Sequence, residues 1–138
     1  MKLYLDSSVI LRRLLGQPGA IPADDRYSQV VTSALSEVEC LRTLDRMRIL
    51  DRLDDDRISG LRAEIFKHLH GMVVVELTRS VLERASYPMP TALGTLDAIH
   101  LATAFLLRDK SEEVVALATH DRALATAARA SGIGVVGA

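Results

Sequence analysis

Five short apolar segments recur along this chain, and segments with helical spacing separate them. The apolar segments cover residues 2–5, 30–32, 72–77, 114–118 and 132–136. Strands that alternate with helices predict an α/β domain with a mostly parallel sheet. Because these segments are continuously apolar, we expect helices to cover both faces of the sheet.

The segments between the strands predict six helices. They are residues 7–15, 34–48, 57–69, 78–86, 96–107 and 121–131. Gly16 and Pro18 end the first helix and begin a polar loop over residues 16–28. The acidic residues 54–56 suit a helix N-terminus. Residues 96–107 are apolar on nearly every side, which predicts a buried helix.

Composition limits the class of protein further. The chain has 138 residues, and we expect residues 1–138 to form one domain. The single cysteine, Cys40, excludes an intramolecular disulfide and fits a reducing compartment. No apolar run reaches the roughly 18 residues of a membrane span. Asp6, Arg12 and Arg13 interrupt the first apolar stretch, so we expect no signal peptide and a soluble, cytoplasmic protein.

Acidic residues follow two of the predicted strands. Asp6 ends the first strand and Asp121 comes soon after the fourth, so in a parallel sheet both lie at the carboxyl edge, where ligands bind. Each is equally a candidate N-cap of the next helix. Asp97 lies in the first turn of the buried helix, where Thr95 is the better N-cap. A buried carboxylate there needs a cation, hydrogen bonds or a raised pKa.

Glu37 and Glu39 lie early in the second helix and are further candidates. They flank the apolar stripe of that helix on opposite sides, so helical periodicity does not choose between them.

Carboxylates that converge on one edge repel one another, and they stay ionised together only around a positive charge. Oxygen ligands without a cysteine or clear histidine set favour Mg²⁺ or Mn²⁺ over zinc. Such an ion polarises a phosphodiester, lowers the pKa of a bound water and stabilises the departing oxygen.

Four segments carry a resemblance to a known family. They are YLDSSVILRRLLG, TSALSEVECLRTL, TLDAIHLATA and ATHDRALATAARASGIGVV, in this order over nearly the whole chain. The sequence resembles PIN-domain proteins, and most closely the small VapC-type toxins of prokaryotic toxin–antitoxin pairs. TLDAIHLATA is the most specific of the four motifs.

The resemblance implies a fold, an activity and partners. The expected fold is a three-layer α/β/α sandwich with a mostly parallel sheet of about five strands. The expected activity is a Mg²⁺- or Mn²⁺-dependent endoribonuclease toxin that cleaves structured RNA such as tRNA or rRNA. The family pattern further implies an antitoxin protein as partner and a homodimer, for which apolar surface near residues 30–50 is available.

The resemblance also implies a set of site residues. Asp6, Glu39, Asp97 and Asp121 match the metal-binding and catalytic acids of the family. Glu39 is preferred to Glu37 because the family pattern S-x-L-x-x-x-E-x-x-R matches Ser33, Leu35, Glu39 and Arg42. Ser8 and Thr119 match hydroxyl positions beside the metal ligands, and local capping explains them equally well.

The four histidines are expected to play lesser roles. His100 lies one helical turn after Asp97, and we expect it to be structural. His68 and His70 are expected to interact with a helix C-terminus, and His120 receives no role.

The chain has a net charge of −1, which excludes a globally basic nucleic-acid binder. Six arginines between residues 42 and 62 alternate with acidic residues, which predicts a solvated, salt-bridged helix pair. Arg12, Arg13 and Arg42 are candidates for contacts with RNA phosphates or with a partner protein.

Two other functions compete with the nuclease. A catalytically silent PIN-like module would bind RNA or protein without cleaving. A phosphotransferase or receiver domain is disfavoured, because the first strand ends in D-S-S and the chain has no G-x-x-x-x-G-K phosphate loop.

Overall fold

Strands and helices alternate along the chain. The structure is a computed structural model, which describes residues 1–22 and 25–138. The strands in this part of the chain are β1 (Lys2–Leu5), β2 (Gln29–Ser33), β3 (Val73–Val75), β4 (Val115–Ala118) and β5 (Gly134–Val136). The helices are α1 (Ser7–Leu14), α2 (Ala34–Leu50), α3 (Asp55–His70), α4 (Arg79–Ala85), α5 (Thr95–Lys110) and α6 (Arg122–Ala130).

The five strands form one sheet in the order β3-β2-β1-β4-β5, and every neighbouring pair is parallel. β1 is central, with Leu3 opposite Val30 on one side and Ala116 on the other. This arrangement confirms the predicted three-layer fold.

Successive residues of β1 face opposite layers, as the period of a strand requires. Leu3 and Leu5 pack with α1, α2 and α3, whereas Tyr4 packs with α5 and α6. The first cluster contains, among others, Val9, Ile10, Cys40, Leu44, Leu61, Ile65, Leu69, Ala116 and Ala118. The second contains Val31, Leu101, Ala104, Phe105, Val115, Leu117, Leu124, Ala127, Ala128 and Ile133. The sheet is therefore buried on both faces.

α4 lies against α5 in the second layer. The guanidinium carbon of Arg84 lies 4.5 Å from the centre of the Phe105 ring, and that of Arg108 lies 5.0 Å from the same ring. Both distances fall within the range of cation–π contacts. Phe105 therefore joins α4 to the second half of α5.

Most element boundaries agree with the predictions to within two residues. The largest difference is at the end of α5, which continues to Lys110 beyond the predicted end at residue 107. β3 covers only three of the predicted residues 72–77 because it pairs with β2 over three positions at the sheet edge. The expectation for α3 is confirmed, since the Asp54 side chain accepts a hydrogen bond from Arg57 N at 2.7 Å. The predicted loop over residues 16–28 includes residues 23 and 24, which lie outside the described residues.

None of the helices in the described ranges is both long and apolar enough to cross a membrane.

The burial of the sheet can be tested by a substitution at Leu117. Its side chain is fully buried in β4, so Leu117→Ala leaves a cavity in the second cluster. We expect the variant to lose about 2–5 kcal/mol of unfolding free energy, measured by urea denaturation. Val114→Ala is the matched control, because Val114 is 71% exposed and its loss is expected to stay within about 0.5 kcal/mol. Equal losses in the two variants would contradict the assigned core.

Candidate functional site

The candidate site lies at the point where the strand order changes direction. The chain passes from β1 to β2 on one side of the sheet, and β4 lies on the other side of β1. Ligands bind at such switch points, beyond the carboxyl ends of the strands. Asp6 directly follows β1, and Thr119 directly follows β4.

Asp6 is only 3% exposed and both of its carboxylate oxygens accept hydrogen bonds. Oδ1 accepts from Ser8 Oγ at 2.6 Å and from Val9 N at 3.3 Å. Oδ2 accepts from Thr119 Oγ1 at 2.6 Å. Asp6 is thus the N-cap of α1, as the capping interpretation expected, and its side chain is also fixed to the end of β4.

Two hydroxyl groups connect the ends of β1 and β4. Thr119 Oγ1 donates to Asp6 and accepts from Asp121 N at 2.9 Å. Ser8 Oγ donates to Asp6 and accepts from His120 N at 2.9 Å. Both hydroxyls therefore contact the candidate acid as well as the neighbouring backbone.

Asp121 occupies the N-cap position of α6. Its Oδ1 accepts from Leu124 N at 2.9 Å, and its side chain is exposed. The capping interpretation is confirmed for Asp121 as well. Its second carboxylate oxygen makes no hydrogen bond with another described residue.

A backbone hydrogen bond connects Thr119 to β5. Thr119 N donates to Val136 O at 3.1 Å. Gly137 follows with φ +102°, and a Cβ atom there would lie 2.5 Å from Ile21 Cδ1 and 2.9 Å from Thr119 O. Only glycine fits this position without moving the backbone that holds Thr119.

Asp97 lies in the first turn of α5. The prediction that Thr95 caps this helix is wrong, because α5 begins at Thr95 and its N-cap is Gly94, which offers no side-chain hydrogen bond. The pKa of Asp97 is raised, first by burial and then by the negative charge of Asp121. The charges of Asp6 and Glu39 raise it further, while His100 lowers it. Asp97 therefore lies within the field of all three other candidate acids.

The structure separates the two candidate glutamates on α2. Glu39 Oε1 lies 2.5 Å from His100 Nε2 and belongs to the acidic cluster. Glu37 makes no hydrogen bond or ion pair with any residue that the structure describes. Cys40, next to Glu39, is buried, and burial together with the charges of Glu39 and Asp6 raises the pKa of its thiol to about 12. The geometry thus places Glu39, not Glu37, beside Asp6 and Asp97.

The candidate arginines lie away from the four acids. Arg13 donates from Nε to Ile21 O at 2.5 Å and from Nη2 to Pro22 O at 3.0 Å, and burial lowers its pKa. Arg42 is paired with Asp45 at 3.5 Å and is largely exposed. Within residues 1–22 and 25–138, no arginine or lysine forms an ion pair with Asp6, Glu39, Asp97 or Asp121.

His68 and His70 lie apart from the acidic cluster, whereas His120 lies beside it. His68 and His70 are in the last turn of α3, where His68 Nδ1 lies 2.7 Å from Glu64 O. His120 contacts Ser8 only through its backbone. Its pKa is lowered, mainly by burial and then by the positive charge of Arg12, with a smaller contribution from Arg13. Arg12 and Arg13 therefore lie on the His120 side of the site.

The donor set has the chemistry that a hard divalent cation requires, since all four side chains offer carboxylate oxygens. Their spacing is wider than that of a formed site. Among the described residues, no three His, Cys, Asp or Glu side chains come together closely enough to hold a metal ion. Asp121, Asp6 and Glu39 are close enough to raise the pKa of Asp97, but the four acids do not form a ready coordination shell.

Tyr4 is the residue that sequence reasoning missed. Its hydroxyl lies 2.7 Å from His100 Nδ1, on the side of the ring opposite Glu39. Only the occurrence of a histidine on the buried face of α5, one turn after Asp97, pointed toward this contact.

The fold and the carboxylate cluster define a three-layer α/β/α protein with an acidic site at its switch point. The sequence profile of the PIN domain matches residues 3–130. The chain therefore belongs to the PIN domain family, which confirms the resemblance drawn from the sequence.

Two relatives bear ribonuclease names. The chain is 35% identical to ribonuclease VapC46 of Mycobacterium tuberculosis (strain ATCC 25618 / H37Rv), over 97% of this chain and 95% of the relative. It is 26% identical to ribonuclease VapC47 of M. tuberculosis (strain CDC 1551 / Oshkosh), over 94% and 92%.

Solved structures share the fold. A toxin–antitoxin complex from Klebsiella pneumoniae matches with a TM-score of 0.64 at 20% identity, over 97% of this chain and 95% of that chain. VapBC2 from Rickettsia felis, bound to a DNA fragment from its promoter, matches with a TM-score of 0.67 at 9% identity, over 99% and 98%.

Asp97 gives a test of the mutual repulsion. Its raised pKa means that the folded chain binds more protons than the unfolded chain between about pH 3.9 and the raised value, so stability falls as pH rises through that window. We expect Asp97→Asn to unfold at higher urea concentration than the wild type at pH 7. The difference should shrink as the pH approaches about 4.

Glu112→Gln provides the control, because it removes one exposed carboxylate outside the cluster. We expect it to change stability by at most about 0.5 kcal/mol. An Asp97→Asn variant that is less stable than the wild type at pH 7 would show that the cluster does not strain the fold.

Proposed function

We propose that this chain is a metal-dependent endoribonuclease and the toxin of a toxin–antitoxin pair. The observation that carries the proposal is the gathering of Asp6, Glu39, Asp97 and Asp121 at the switch point without a balancing arginine or lysine among the described residues. The ribonuclease names of two relatives that span the same length support it.

The four acids are proposed to hold one or two Mg²⁺ or Mn²⁺ ions. Such an ion activates water and stabilises the charge of the departing oxygen in phosphodiester hydrolysis. The pKa of Asp97 is raised first by burial and then by the negative charge of Asp121, and a bound cation would offset both effects. Ser8 and Thr119 keep the buried Asp6 carboxylate oriented while the other acids draw together.

The proposed substrate is structured RNA, such as tRNA or rRNA. Only 4% of the residues are aromatic and none is tryptophan, so a platform for stacking bases is not expected. Recognition would then rest on RNA shape and on the phosphate backbone. Arg12 and Arg42 are the proposed phosphate contacts, and Arg13 takes part mainly by fixing the loop after α1.

The proposed partners are an antitoxin protein and a second copy of the chain. The toxin–antitoxin complexes among the structural neighbours support the first. For the second, α2 exposes Val38 (54%), Ile49 (61%) and Leu50 (70%), which lie in the apolar region expected from the sequence. We further propose that residues 1–138 act as one domain in the cytoplasm.

Induced expression of the wild type beside Asp97→Asn tests the nuclease proposal in cells. We expect growth arrest and discrete RNA fragments with 5′-phosphate ends for the wild type only, because the variant lacks one of the four acids. Mapping RNA ends in both cultures provides the measurement, and a chelator should abolish cleavage by the purified wild type. Identical RNA profiles and equal growth would leave the silent binding module in place of the nuclease.

The two neighbouring glutamates give a matched pair in vitro. We expect Glu39→Gln to lower kcat at least about a hundredfold, a loss typical of removing one charge-stabilising group from an active site. Glu37→Gln makes the same chemical change two residues away and should remain within about twofold of the wild type, because Glu37 lies outside the cluster. Single-turnover cleavage of a labelled RNA measures both. A larger loss for Glu37→Gln would transfer the assignment to that residue.

A further inference from the structure

A buried chain of two hydrogen bonds runs from the central strand to Glu39. The Tyr4 hydroxyl lies 2.7 Å from His100 Nδ1, and His100 Nε2 lies 2.5 Å from Glu39 Oε1. The three residues come from β1, α5 and α2, and sequence separations of 96 and 61 residues show that the tertiary fold creates the contact. The two rings meet edge to face, with centres 6.0 Å apart and an angle of 64°.

The Glu39 carboxylate fixes the direction of its hydrogen bond with His100. A carboxylate oxygen only accepts, so His100 Nε2 carries the hydrogen of the bond to Glu39. In a neutral imidazole Nδ1 accepts from the Tyr4 hydroxyl, and in a protonated one Nδ1 donates to it, so the Nε2–H bond to Glu39 is the same in both states. Burial raises the pKa of Tyr4 well above its ordinary value, so that hydroxyl keeps its proton.

The two hydrogen bonds connect two side chains that packing holds rigid, Tyr4 and His100, to the Glu39 side chain, which has rotational freedom. Tyr4 is fully buried and His100 is 1% exposed, so packing fixes both rings. The Glu39 side chain is 22% exposed and extends from α2 through three rotatable bonds. Among the hydrogen bonds of the described residues, only Oε1 of the Glu39 carboxylate takes part, and Oε2 has no hydrogen bond.

We propose that His100, backed by Tyr4, is a positioning residue that holds Glu39 through Oε1 and leaves its second carboxylate oxygen to bind the metal ion. The inference rests on the proposed function, because it assigns a purpose to the orientation of one of the four metal-binding acids. It also explains why the glutamate at position 39, rather than that at position 37, belongs to the site.

Metal affinity tests the inference independently of cleavage. Mn²⁺ binding to the metal-free chain is measured by calorimetry, with RNA cleavage recorded in parallel. We expect His100→Leu to weaken Mn²⁺ binding about 10–100-fold, the usual effect of removing a group that orients a ligand. It should lower kcat while leaving KM for RNA unchanged, since His100 is buried away from the RNA-accessible surface.

Conservative variants separate positioning from packing. His100→Gln retains an N–H donor near the place of Nε2, and we expect it to restore most of the Mn²⁺ affinity that His100→Leu loses. Tyr4→Phe keeps the ring and removes only the hydroxyl that bonds to Nδ1, so a loss of a few-fold is expected. His70→Gln, at the exposed end of α3, is the control and should match the wild type.

A double-mutant cycle with Glu39→Gln makes the test specific. If His100 acts through Glu39, His100→Leu costs no further Mn²⁺ affinity once Glu39 is replaced. An additive loss would overturn the inference, as would a folded His100→Leu variant with wild-type affinity and kcat.

Nitrogen NMR of the His100 ring in the metal-free wild type gives a result even when His100→Leu does not fold. A ring with a hydrogen on Nε2 and an Nδ1 resonance that moves in Tyr4→Phe supports the inference, and a ring with a hydrogen on Nδ1 alone overturns it. A wild type that neither binds Mn²⁺ nor cleaves RNA removes the proposed function itself. That outcome differs from one in which the wild type binds Mn²⁺ and cleaves RNA and His100→Leu does both equally well. The second outcome overturns only the inference about His100.

Discussion

The hydrogen bonds received by the Asp6 carboxylate hold the centre of this molecule together. Ser8, the backbone of Val9 and Thr119 all donate to it, and they join the start of α1 to the end of β4. A buried carboxylate without such donors would be costly, since charged groups lose their hydration on burial. The same bonds that satisfy Asp6 also define the edge at which the other acids meet.

Among the described residues, no arginine or lysine forms an ion pair that balances the negative charge of the four acids. Arg13 donates to loop carbonyls and Arg42 pairs with Asp45, so neither pairs with an acid of the cluster, and Glu39 is bonded to His100. Burial raises the pKa of Asp97, and the negative charges of Asp121, Asp6 and Glu39 raise it further. A fold that maintains this repulsion gives up some stability for a strong attraction toward cations.

The sequence predicted the alternating elements well, because continuous apolar strands and amphipathic helices follow from local periodicity. It also placed Asp6 and Asp121 at one edge, since parallel strands share their carboxyl ends. Helical periodicity could not choose between Glu37 and Glu39, because both flank the same stripe of α2. Only the family pattern favoured Glu39, and the contact of Glu39 with His100, 61 residues away, could not be read from local sequence. Thr95 was expected to cap α5, but Gly94 takes that position without any side-chain bond.

One helix carries two parts of the site. α5 presents Asp97 in its first turn and His100 one turn later, and its second half packs through Phe105 against Arg84 of α4. A rigid-body displacement of α5 would shift a candidate ligand and the support of another ligand together. A substitution that shifts α5 at the Phe105 contact would therefore move Asp97 and His100 together without altering any of the four acids.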